Sequence, residues 1–134
     1  MAKTQPARVR LGGNEAWLEL SRTDGNVWRI SADWCSWLTA EFTTHLTTAE
    51  ALDFADRVLA HLAAASRAPF TAAVTPSRNN PITLTGVPVG DGFAVLAMLT
   101  PNGDDNVCRL QMEIDPISSS ELHHLFSAFR SSLN

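Results

Sequence analysis

The chain has 134 residues, of which 45% are hydrophobic, and a formal net charge of −4. This length suffices for one domain with its own core, and the hydrophobic share excludes an intrinsically disordered chain. No basic stripe appears, which argues against a nucleic-acid partner. Residues 1–20 lack the apolar core of a secretory signal, and no run of about 18 apolar residues is present. We therefore expect no membrane association and a cytoplasmic location.

Ten residues are basic, and only Lys3 among them is lysine. This arginine bias, with many Ala and Thr and no Tyr, suggests a GC-rich bacterial genome.

The first part of the chain predicts short strands joined by a tight turn. Residues 1–8 are polar and predicted to be frayed. Residues 9–11 and 16–20 are predicted strands, and the latter alternates apolar and polar side chains. Residues 21–26, which include Asp24-Gly25-Asn26, are predicted to form a hairpin turn, since Asp, Gly and Asn tolerate a positive φ.

Apolar and polar residues alternate from 28 to 42 with a two-residue period. This pattern is typical of extended chain with one buried face, but it is longer than a usual strand. We therefore predict two strands with a break within residues 33–36.

A helix is predicted over residues 47–65. Thr47 and Glu50 have the spacing of a capping box, in which each side chain satisfies a backbone N–H of the first turn. Apolar residues then recur at helical spacing on one face: Ala51, Leu52, Ala55, Val58, Leu59 and Leu62. The helix is therefore predicted to pack on an apolar sheet face.

The second part repeats this plan. Four strands are predicted, at residues 70–75, 82–89, 93–100 and 107–115. Gly86 and Pro88 favour an edge strand or a bulge for the second of these. The third is apolar on both faces, as in a central strand. In the fourth, Cys108 is predicted to point inward, and Pro116 is predicted to end the strand.

A second helix is predicted over residues 118–133, where Ser118 and Glu121 repeat the capping spacing. The fold class is therefore α+β, with about seven mostly antiparallel strands and two helices packed on them. We predict one domain over residues 1–134, with a boundary between halves near 66–69. Duplication of a meander-plus-helix unit and coincidence both explain the repeated plan.

The sequence contains no recognised motif for catalysis, phosphate binding or zinc. The histidines and cysteines do not show ligand spacing, and residues 102–106 lack the spacing of a calcium loop. Cys35 falls on a polar face, but no basic residue lies near it in sequence to activate the thiol. We predict no cofactor, no metal and no enzymatic activity, and free thiols at Cys35 and Cys108.

All four tryptophans lie between positions 17 and 37. Trp28 and Trp34 have the parity of the buried face, whereas Trp17 and Trp37 have the parity of the polar face. Tryptophan on a polar sheet face is typical of a protein interface. The predicted partner-binding residues share this parity: Trp17, Trp37, Arg29, Glu19 and Glu41.

Three hypotheses for function follow. The first is a small protein-interaction module, such as an immunity-type or antitoxin-like inhibitor or a secretion-type chaperone, whose acidity steers it towards a basic partner. The second is a ligand-binding or enzymatic domain, with a pocket lined by Trp28, Trp34, Phe126 and Met112. The third is a homo-oligomer that assembles through a sheet edge formed by residues 70–89.

Overall fold

The computed structural model describes residues 6–64, 67–103 and 107–133. It contains two four-stranded antiparallel meanders, each followed by a helix, and confirms the α+β class with eight strands where about seven were predicted. The elements in chain order are β1 (Arg8–Gly12), β2 (Ala16–Asp24), β3 (Val27–Trp34), β4 (Leu38–His45), α1 (Thr48–Ala63), β5 (Phe70–Ala73), β6 (Ile82–Val89), β7 (Gly92–Leu99), β8 (Leu110–Ser118) and α2 (Ser119–Ser132). We call β1–β4 the N-terminal sheet and β5–β8 the C-terminal sheet.

The chain is ordered from further upstream than predicted. Of the residues predicted to be frayed, 1–5 lie outside the described ranges. Ala7 is buried, and its carbonyl accepts a hydrogen bond from the Arg22 N–H at 2.9 Å. This contact continues the pairing of β1 with β2, so the strand begins at Arg8 and not at residue 9.

The predicted break in the long alternating segment is confirmed. β3 ends at Trp34 and β4 begins at Leu38. Between them the chain turns through Cys35 and Ser36, whose φ angles of 55° and 62° lie in the left-handed region. Two consecutive left-handed residues form a hairpin turn whose backbone twist matches the right-handed twist of the two strands that it joins.

Both helices begin where their capping residues predict. Thr47 and Glu50 form a complete capping box: the Glu50 N–H donates to Thr47 Oγ1 and the Thr47 N–H donates to Glu50 Oε1. Ser118 caps α2 by accepting from the Glu121 N–H at 3.2 Å. Both helices pack their apolar faces on the rest of the fold, as predicted. In α1 the buried face includes Phe54, which the predicted face did not, whereas Leu52, Leu59 and Leu62 of the predicted face are half-buried.

One core joins the two halves. The Trp28 ring, on β3, meets Phe129 of α2 edge to face with centroids 5.9 Å apart. Phe54 of α1 meets Phe126 of α2 at the same separation. The predicted boundary at 66–69 falls in the connection between α1 and β5, where residues 65 and 66 lie outside the described ranges.

Two features of the C-terminal sheet correct the sequence prediction. β8 does not end at Pro116 but continues to Ser118. Val95 pairs with Ile114 and Phe93 with Ile117, so the register shifts around Asp115 and Pro116 and forms a bulge. A bulge leaves a residue out of the ladder, and proline, which has no N–H to donate, is tolerated there.

Cys108 is exposed and precedes β8, although it was predicted to point inward from a strand. The β7–β8 ladder stops at the pair Leu99–Leu110. Beyond it the Thr100 N–H donates to the Pro81 carbonyl at 2.8 Å, so the pairing of β7 with β6 continues past the last pair of β7 with β8. β6 is flanked by β5 and β7, so it is not the predicted edge strand.

Candidate functional site

The outer face of the N-terminal sheet is the face directed away from the helices. Val9, Leu18 and Ile30 occupy the opposite, buried face. The residues with alternate parity on the four strands are exposed or half-buried, so neither of the two described helices covers the outer face. Its larger side chains are those of Arg8, Arg10, Trp17, Glu19, Arg29 and Glu41.

Four of the five predicted partner-binding residues lie on this face. Trp17 and Glu19 come from β2, Arg29 from β3 and Glu41 from β4. Glu19 and Glu41 lie in one cross-strand row, on either side of Ser31. The parity of a regular antiparallel sheet places these four together, because the side chains of paired residues lie on the same face.

Trp17 is half-buried on this face beneath an arginine. The Arg10 guanidinium lies 4.2 Å from the centroid of the Trp17 ring, within the range of a cation–π interaction. The ring and the guanidinium together form one amphipathic surface.

Trp37 is not on a strand, so parity does not place it. It follows the left-handed turn as an unpaired residue, and its N–H donates to the Trp34 carbonyl at 3.0 Å. It is 83% exposed. The Cys35 N–H donates to the Glu15 carbonyl, which ties this turn to the β1–β2 turn near Trp17.

Trp34 corrects the sequence prediction, which assigned it to the core. It has the inward parity of β3, but it lies at the end of the sheet and is 40% exposed. Leu38, its partner across the turn, is also exposed. Together with Leu110 and Met112 of β8, these residues line an open groove of about 280 Å³.

The four residues that were predicted to line one pocket do not lie together. Trp28 and Phe126 are fully buried in the core, whereas Trp34 and Met112 line the groove at the end of the sheet. Phe126 lines two cavities between sheets and helices, each of about 10 Å³, which is the space of about one water molecule.

A second groove, of about 510 Å³, lies between the end of β1 and the start of α2. It is open and carries charges of both signs, from Arg10, Asp115 and Glu121. It adjoins the outer face through Arg10, which also covers Trp17.

Sequence reasoning missed part of the exposed surface. Arg8 and Arg10 alternate with the buried Val9 and Leu11, so their place on the outer face was readable from a two-residue period. The C-terminal sheet also has an apolar strip on its outer face. It consists of Val87, Ala94, Leu96 and Met98, all exposed or half-buried.

The chemistry of the described residues is sparse. No group of three histidine, cysteine, aspartate or glutamate side chains converges within residues 6–64, 67–103 and 107–133. The aspartates considered for calcium, at 104 and 105, lie outside those ranges. Neither described helix is long and apolar enough to cross a membrane.

Glu50 is the carboxyl whose pKa is clearly displaced in the described part of the chain. The Arg78 guanidinium and the Thr47 N–H both donate to it and lower its pKa from 4.5 to about 2. Glu50 also completes the cap of α1, so its ionisation is tied to the fold and not to the candidate surface.

Comparison with known proteins gives no match: no family model, no curated protein and no solved structure is significantly similar to this chain. A function is therefore inferred from the geometry of the chain itself.

Proposed function

We propose that this chain is a small protein-interaction module that binds a partner protein through the outer face of the N-terminal sheet. The observation that carries the proposal is the cation–π contact of Arg10 with Trp17 near one end of an exposed, mixed-charge face. Tryptophan and arginine are the residue types that most often dominate binding energy, and a paired ring and guanidinium lose little freedom when a partner covers them.

Trp37 adds a second aromatic side chain at the end of the same sheet, on the β3–β4 turn. Trp37 is 83% exposed, and the turn that carries it is fixed by hydrogen bonds to Asp33 and to Glu15. An exposed tryptophan on a fixed turn supplies a large contact area at a small entropic cost. Trp17 and Trp37 are therefore the two aromatic anchors of the proposal.

The classes of protein that fit are a cytoplasmic bacterial inhibitor, of the immunity or antitoxin type, and a chaperone that holds a secreted partner. Both are small domains without catalytic machinery. The face carries Arg8, Arg10 and Arg29 beside Glu19 and Glu41, so the partner surface is expected to be of mixed charge.

Native mass spectrometry of the protein purified from its own host tests the proposal. We expect a second polypeptide in stoichiometric complex. The Trp17→Ala/Trp37→Ala variant should lose that polypeptide and still melt as a folded protein. A retained complex in the double variant would refute the proposed surface.

A matched control comes from the other sheet. Leu96 and Met98 are half-buried apolar residues on the outer face of β7. Leu96→Ala/Met98→Ala should retain the partner. If this control loses the partner and the tryptophan variant keeps it, the binding surface belongs to the C-terminal sheet. A protein that carries a small molecule and no polypeptide would support the ligand-binding alternative.

A further inference from the structure

The N-terminal sheet has two edge strands, β1 and β4, and the edge formed by β4 is long and uncovered. β4 has eight residues, and each of them is exposed or half-buried. It contains no proline, lysine or bulge, which commonly protect an edge from pairing, and its one charged side chain is that of Glu41. By contrast β5, the edge strand of the C-terminal sheet within the predicted assembly region 70–89, has four residues.

The register identifies the free backbone groups of β4. The Leu46 N–H donates to the Asn26 carbonyl, which continues the ladder in which Val27 pairs with His45. Hydrogen-bonded and non-hydrogen-bonded pairs alternate in an antiparallel ladder. The even-numbered residues of β4 therefore bond to β3, and Thr39, Glu41 and Thr43 direct their N–H and C=O groups to the free edge.

At the C-terminal end of β4, one free-edge carbonyl already accepts a hydrogen bond from within the chain. The His45 carbonyl, which has the same parity, accepts a hydrogen bond from Arg78 Nη2 at 2.6 Å. The free stretch therefore begins at the left-handed turn and ends near Thr43.

We propose that β4 pairs with β4 of a second copy of this chain, antiparallel and with the two-fold axis at Ala40. The two N-terminal sheets then form one continuous eight-stranded sheet. A two-fold interface places the same strand on both sides, so the strand must be complementary to itself. The sequence of β4 meets this requirement better in one pairing register than in the two adjacent registers.

Three positions of the two-fold axis near the middle of β4 place the inward-facing residues of both copies on the same side of the joined sheet. An axis at Glu41 places two carboxylates directly opposite each other, which is destabilising. An axis at Phe42 pairs Thr39 with His45, whose carbonyl is held by Arg78. An axis at Ala40 avoids both problems and pairs Thr39 with Glu41 of the second copy.

The Ala40 register also covers exposed apolar surface. It places Leu38, which is 52% exposed, opposite Phe42 of the second copy, which is half-buried. Both residues have inward parity, so they extend the apolar face of each sheet across the new junction. The outer faces of the two copies become one surface, but dimer formation itself does not depend on a partner protein.

Sedimentation equilibrium of the purified chain over a concentration series tests the dimer. We expect two chains per particle for the wild type. Glu41→Pro removes a free-edge N–H, which a folded edge strand tolerates, and should give a folded monomer. Glu41→Gln keeps the N–H and should remain a dimer. A monomeric wild type, or a dimeric Glu41→Pro, would overturn the proposal.

Disulfide cross-linking tests the register, in a background where Cys35→Ser and Cys108→Ser remove the native thiols. Ala40→Cys places two thiols opposite each other at the axis and should form a cross-linked dimer under mild oxidation. Thr44→Cys is the matched control on the same face of the same strand, and its two copies lie far apart in this register. Equal cross-linking of the two variants would refute the register even if a dimer forms.

Discussion

Arg78 and Glu50 form a two-bond ion pair that joins the β5–β6 loop to the first turn of α1. Arg78 Nη2 lies 2.6 Å from Glu50 Oε1, and Arg78 Nε lies 2.7 Å from Oε2. The same guanidinium donates to the His45 carbonyl at the end of β4. One side chain of the second half therefore fixes the junction of strand and helix in the first.

This ion pair predicts how stability depends on pH. Because the pKa of Glu50 is lowered in the folded protein from 4.5 to about 2, the folded state favours the ionised carboxyl. The stabilisation is fully present above pH 4.5 and is lost as the pH falls towards 2. We expect the difference in melting temperature between the wild type and Glu50→Gln to be constant above pH 5 and to disappear near pH 2.

Arg78→Lys provides the control for the pH experiment. Lysine keeps the charge but cannot form both hydrogen bonds of the planar guanidinium. We expect Arg78→Lys to retain part of the stabilisation and Arg78→Ala to lose about 1 kcal/mol, as for a partly exposed pair. A difference between wild type and Glu50→Gln that is unchanged at low pH would contradict the role of the carboxylate.

The tryptophans should differ widely in their contribution to stability. Trp28 is fully buried, contacts Phe129 and donates from Nε1 to the Leu46 carbonyl, so Trp28→Ala should cost about 3–5 kcal/mol. Trp17→Ala removes a half-buried ring and a cation–π contact and should cost about 1 kcal/mol. Trp37→Ala should change stability by less than about 0.5 kcal/mol.

Urea denaturation monitored by circular dichroism measures these three values. The informative result is their order. If Trp37→Ala were as costly as Trp28→Ala, the exposed position of Trp37 would be wrong and its role as a binding anchor would be lost. If only Trp28→Ala is severe, the other two can be used as binding variants without loss of the fold.

The β3–β4 turn can be stabilised by substitution. Cys35 and Ser36 have φ angles of 55° and 62°, which Asn and Gly adopt at a lower cost. The variant Cys35→Asn/Ser36→Gly should gain about 0.5–1 kcal/mol in free energy of unfolding. Gly25 has a φ of 54° in the β2–β3 turn, so Gly25→Ala should lose stability for the opposite reason. A destabilised Asn-Gly variant would show that the turn needs its present side chains.

Gly86 predicts a packing conflict that can be relieved by a second substitution. A Cβ at this position would lie 2.4 Å from Cε2 of Phe70, its partner on β5. Gly86→Ala should therefore cost about 1–3 kcal/mol. Adding Phe70→Leu should cost less than the sum of the two single changes, because the smaller side chain removes the conflict. Additive effects would refute the direct contact.

The sequence predicted those features that depend on local rules. The Thr47 and Ser118 caps, the turn at Gly25 and the break before Leu38 each follow from a few adjacent residues. The outer face of the N-terminal sheet was also predictable, because a two-residue period continues as long as the strand is regular. The predicted residues Trp17, Glu19, Arg29 and Glu41 share that face for this reason.

The features that were missed depend on the ends of strands and on pairing between them. Trp34 has inward parity, but parity does not reveal that β3 extends beyond the core. Cys108 continues an alternating pattern, but β7 ends at Leu99 and leaves it without a partner strand. Pro116 lies in a bulge, and a bulge can be identified only from the pairing of β8 with β7. The stacking of Arg10 on Trp17 likewise required the register of β1 with β2.

The packing of the last helix on the first strands has a consequence for synthesis in the cell. Trp28 is covered by Phe129, and α2 also packs against β1. Because α2 follows β8 in the chain, the nascent chain cannot close this core until α2 has left the ribosome. The N-terminal meander therefore emerges with its apolar face uncovered, and it is during this interval that the chain is most exposed to aggregation.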